Sequence, residues 1–141
     1  MTFILDNDTG YDSRKLRRVF TAVVKDVATV VARTRPGFAS ARARGILDRT
    51  RVRVVHTRKG FMTSGYAYYD GSNATIRLRP GSVDTVQAIW LFRHEVYHLF
   101  GIAHANMPVS ARHRTEGGYG FVRDRFPKLV VSLGTELAEK P

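Results

Sequence analysis

The chain has 141 residues, 43% of them apolar, and carries 23 Lys and Arg against 12 Asp and Glu, a formal net charge of +11. That is one domain's length (1–141) with enough apolar material for a core, and no run of 18 apolar residues offers a transmembrane segment. With no cysteine the chain forms no disulfide and holds no metal-capping thiolate of the kind that keeps some enzymes latent.

The first residues, Met1 to Asp8, show neither a basic start nor a long apolar run, so a soluble protein is expected, intracellular or part of a virion or nucleoprotein assembly. Thr2-Phe3-Ile4-Leu5 reads as a short strand, and Asp6, Asn7, Asp8, Thr9 and Gly10 as a turn. Behind Asp12, a good N-cap, Leu16, Val19, Phe20, Val23, Val24, Val27, Val30 and Val31 recur at helical spacing and predict an amphipathic helix over 13–33. Pro36 and Gly37 end it. Residues 34–50 then read as a connection, with a helical turn over Ala39 to Leu47.

Arg51 to His56 reads as a strand, and 66–69 and 75–79 as two more, joined by Asp70-Gly71-Ser72-Asn73 as a hairpin. Beyond Pro80 and Gly81, with Ser82 as N-cap, a helix is expected to run to about Phe100, apolar almost all round and therefore buried, with Arg93 the outlier. After His104 come a polar basic stretch and a flexible glycine-rich loop, Glu116 to Gly120; a last helix opens at Phe126-Pro127.

Within the buried helix lies His94-Glu95-Val96-Tyr97-His98, followed by Leu99-Phe100-Gly101-Ile102-Ala103-His104. Residues four apart share a helix face, so His94 and His98 can aim two imidazoles at one ion, with Glu95 beside it. Gly101 allows the left-handed turn that returns His104 towards them. Three protein ligands with a fourth position open to water define a catalytic zinc site, whereas structural sites are closed by four.

This stretch fits H-E-x-x-H-x-x-G-x-x-H at all five fixed positions and resembles the metzincin clan of zinc endopeptidases. The resemblance implies an α+β, zincin-like domain: a small mixed sheet with a long helix packed on it, an active-site helix, and a short C-terminal subdomain with a final helix. It also implies that the last strand but one, here Tyr66, Ala67, Tyr68 and Tyr69, is an antiparallel edge that pairs with extended substrate. The family carries a methionine turn beneath the zinc. Met107 is the candidate here, either as a shortened turn or as a core residue, since it follows His104 by only three positions. The cysteines with which archaemetzincins hold a second zinc are absent.

The chemistry expected is hydrolysis of a peptide bond with one catalytic Zn2+ on His94, His98 and His104, and with Glu95 moving the proton from water to the leaving amine. Tyr119 is the candidate second donor to the oxyanion. His56 and His113 lack partner spacing and read as surface or strand residues.

A second reading starts from the charge: a field of +11 attracts nucleic acid or another polyanion, and would suit a basic structural or virion-associated module on the same fold with vestigial proteolysis. Arginine-rich solvated faces produce the same composition, and there is neither a basic run of five nor a nucleic-acid motif.

Overall fold

Asp12 opens the first long helix, as its side chain requires: Oδ1 accepts from the backbone N–H groups of Arg14 at 2.8 Å and Lys15 at 3.4 Å. The computed structural model describes residues 2–9, 11–56, 65–69, 73–78, 85–113 and 116–133. Helix α1 spans Ser13–Ala32 and buries Leu16, Val19, Phe20, Val23, Val24, Val27 and Val31, so its helical period outweighs its β-branched content.

Pro36 does more than end α1. It takes the first position of a second helix, α2 (Pro36–Arg49), where a missing N–H costs nothing. The segment expected as a connection is thus a helix of 14 residues. Ala39 and Ile46 are its buried residues, with Ala43 and Leu47 partly covered.

Four strands form one sheet in the order β1-β2-β4-β3, where β1 is Ile4–Asp8, β2 Arg51–His56, β3 Gly65–Tyr69 and β4 Asn73–Leu78. β1, β2 and β4 are parallel, while β3 lies at the edge and runs antiparallel to β4. The first strand sits later than its apolar residues suggest. Asp6, Asn7 and Asp8 belong to it and pair with Arg53, Val54 and Val55, and Arg51 to Asp6 (3.2 Å) and Arg53 to Asp8 (3.1 Å) supply ion pairs on its surface. The turn residues 70–72, Arg79 and the N-cap Ser82 lie outside the described residues.

Helix α3 (Thr85–Leu99) packs against β3 and β4 on one side and α1 on another, which explains why it is apolar almost all round. α1 rests chiefly on α2 and α3 and touches the sheet at β1. Val52, Val54, Ala74, Phe20, Phe92 and Val96 meet in one contiguous core.

The described residues beyond Pro108 build three more helices: α4 (Val109–Arg112), α5 (Glu116–Arg125) and α6 (Pro127–Leu133). The stretch expected as a glycine-rich loop is the start of α5. Gly118 explains the choice of residue, because a Cβ there would stand 2.5 Å from the His113 carbonyl oxygen and 2.8 Å from Trp90 Nε1. The glycine buys contact with the end of α4 and with α3. The architecture is therefore mixed α+β, mainly helical, and among the described residues no helix is long and apolar enough to cross a membrane.

Candidate metal centre

At the end of α3 the chain turns through Gly101, whose φ is +78°. Gly101 N–H donates to His98 O at 2.9 Å and Ile102 N–H to Tyr97 O at 3.0 Å, the paired bonds of a Schellman motif. Arg42 of α2 adds a third satisfied carbonyl, donating from Nη1 to Leu99 O at 3.1 Å. The turn delivers His104, at the head of a 3-10 turn (His104–Asn106), to the face that carries His94 and His98.

One ligand atom from each of the three imidazoles lies within 4.8 Å of the others, and the group can hold a metal ion. Two of the rings are oriented by main chain. His94 Nδ1 donates to Ala111 O at 2.6 Å and His98 Nδ1 to Ile102 O at 3.0 Å. A carbonyl only accepts, so both Nδ1 atoms carry the proton and both Nε2 atoms present lone pairs. His94 Nε2 stands 3.2 Å from His104 Nε2. Nitrogens sharing one tetrahedral zinc at ordinary bond lengths stand about 3.3 Å apart, so this pair fits such an ion without rearrangement.

Burial, followed by the charge of His104, pushes His98 below its ordinary value, against the pull of the Ile102 carbonyl. The neutral imidazole that a metal needs is therefore favoured. Glu95 is 7% exposed, and its Oε1 is 3.7 Å from His94 Nε2, beside the ligand cluster. Burial alone raises its carboxyl from 4.5 to about 7.

Trp90 stacks on His94 (centroids 5.2 Å, planes 25° apart) and donates from Nε1 to Ser110 O at 2.9 Å, pinning the strand of chain that supplies the Ala111 acceptor. Trp90 precedes His94 by one helical turn, a spacing that marks it as a neighbour, yet the sequence analysis gave it no role. Tyr119 stands edge-on to Trp90 at 6.4 Å and is thus one ring removed from His94, on a helix and not on a loop. Met107 is 1% exposed, closes the 3-10 turn by donating its N–H to His104 O at 3.2 Å, and belongs to the core. The backbone of Tyr66 to Tyr69 forms the edge strand β3 against α3. His113 is exposed at the end of α4.

Arg93, the outlier on the helix wheel, is 1% exposed and faces Asp26 of α1. Burial lowers its pKa, while Tyr97 and Asp26 act to raise it. No family model matches this chain, and neither a curated protein nor a solved structure matches it.

Proposed function

We propose that the chain is a zinc-dependent endopeptidase of metzincin-like, zincin-type architecture. One observation carries the reading: three imidazoles converge, two of them held by main-chain carbonyls with Nε2 towards the cluster, beside a buried carboxyl whose pKa lies at about 7. A general base works best with a pKa close to the operating pH, and in the metal-free chain burial raises Glu95 towards that range. His94, His98 and His104 would hold the ion. Zinc held there would supply Lewis acidity, activating water at near-neutral pH.

The protein's own groups do the rest. Glu95 Oε1, beside His94 Nε2, takes a proton from water and returns it to the departing amine. The carbonyls of Ile102 and Ala111 keep two ligand rings in one tautomer. β3, antiparallel at the sheet edge and packed on the helix that carries the histidines, suits an extended peptide added as a further strand. Tyr119 remains the candidate second oxyanion donor, and Met107 the candidate for a shortened methionine turn.

A basic module that binds polyanions is the second reading. It draws on the charge of +11 and on Arg14, Arg18 and Lys25, which are exposed at spacings that place them along one side of α1.

The deciding experiment is cleavage of casein by the zinc-loaded chain and by Glu95→Gln, with metal content measured in both. The endopeptidase reading expects one zinc in each and cleavage by the wild type alone. Full zinc with no cleavage by either, together with nucleic-acid binding that weakens steeply with salt, would favour the module.

A further inference from the structure

A second polar centre shares helix α3 with the histidines but is built from other side chains, together with α1 and α5. Asp26 of α1 is 6% exposed and Arg93 of α3 is 1% exposed. Arg125 of α5 donates from Nε to Asp26 Oδ1 at 2.5 Å, and Arg93 Nε lies 3.7 Å from Oδ2. Arg93 spends its terminal nitrogens on Ser110 Oγ (3.2 Å) and Tyr97 OH (3.5 Å), with its guanidinium 3.9 Å from the centre of the Phe121 ring. Arg93 Nε and Asp26 Oδ2 remain buried with no hydrogen-bond partner.

These groups line a pocket of about 180 Å³ together with Val30, Phe121 and Arg33, which follows the end of α1. Its charge does not cancel. Arg33, Arg93 and Arg125 bring three guanidinium groups against the single carboxylate of Asp26. Arg33 and Arg125 reach solvent, whereas Arg93 is buried with its Nε lacking a hydrogen-bond partner, so the shortfall of partners lies at Arg93. A buried cation short of partners is costly, and an anion that accepts several N–H bonds at once removes that cost. A cation is disfavoured, because Asp26 already faces two arginines.

We infer that the pocket between α1, α3 and α5 binds a small free oxyanion of the phosphate type, held by Arg33, Arg93 and Arg125 and oriented by Tyr97 and Ser110. The site is independent of any metal on the three histidines and of the endopeptidase reading.

Inorganic phosphate is the probe, titrated into the full-length chain by calorimetry and by thermal denaturation, with chloride at matched ionic strength as the control. A saturable rise in Tm with one phosphate per chain is expected. Arg33→Ala changes an exposed side chain and leaves the histidines intact; it should weaken binding by about tenfold or more, the loss of one charge-assisted contact. Arg14→Ala, on the exposed face of α1 and outside the pocket, should bind phosphate as the wild type does. No saturable effect beyond chloride overturns the inference, as does undiminished binding by Arg33→Ala; equal losses in Arg33→Ala and Arg14→Ala would do the same by reducing the effect to general surface charge.

Discussion

Glu95 makes the metal-free chain less stable as the pH rises, by an amount that can be worked from its burial. The folded state holds the carboxyl proton up to a pKa of about 7, whereas an ordinary glutamate carboxyl loses it at 4.5. Between those values the unfolded chain binds fewer protons, so unfolding becomes easier with each unit of pH. The contribution is fully present below 4.5 and is lost as the pH rises through about 7. At 1.36 kcal/mol per unit, the whole swing comes to about 3 kcal/mol, a large part of an ordinary domain's stability. Glu95→Gln keeps the shape and removes the titration. Urea unfolding of both proteins after chelation should therefore give similar stabilities at pH 4.5 and a Gln variant more stable by about 3 kcal/mol at pH 8. His98 acts in the opposite sense, since its lowered pKa costs stability as the pH falls below 6.5, but it is common to both proteins and drops out of the difference. Parallel pH profiles for the two proteins would refute the argument. Reloading zinc should shrink the gap, because a nearby cation favours the ionised carboxylate.

Other perturbations probe the rest of the centre. His104→Ala alters an exposed side chain, so its fold stability should change by no more than about 0.5 kcal/mol, while bound zinc measured by mass spectrometry falls well below one per chain. Gly101→Ala forces a side chain into a φ of +78°; it should cost about 1 to 2 kcal/mol in chemical unfolding and weaken zinc binding through the displaced Ile102 carbonyl. Gly118→Ala drives a Cβ against the His113 carbonyl and Trp90, and should destabilise by about 1 to 3 kcal/mol with a shift in Trp90 fluorescence. If Tyr119 donates to the oxyanion, Tyr119→Phe should lower kcat on a peptide substrate with little change in KM.

How legible each part was depended on where its partners lie. α1 and α3 could be drawn from the sequence because large apolar residues mark their period, and the histidine cluster because its spacing is a helical one closed by glycine. α2 was hidden: Ala39 and Ala43 are too small to stand out as an apolar stripe, and Pro36 reads as a stop when it is also a start. α5 was hidden by Gly117, Gly118 and Gly120, which lower helix propensity, although Gly118 admits close packing on α3 and α4. The acids of β1 look like turn residues until Arg51 and Arg53 arrive beside them in the parallel register. Arg93 could not be placed without Asp26, which the fold brings to it from another helix. The acceptors for His94 and His98 are main-chain carbonyls, and no side-chain pattern announces those.

The three imidazoles and the two carbonyls that orient them all fall between His94 and Ala111, whereas the parallel pairing of β1 with β2 must wait for both α1 and α2 to be laid down between them. Contacts so close in sequence close quickly and at small entropic cost, and the strand pairing does neither. A metal ion can therefore engage this stretch before the sheet exists and stay with it after the sheet is lost. Affinity for the denatured chain subtracts from linkage, so the rise in Tm on adding zinc will understate how tightly the folded protein holds it.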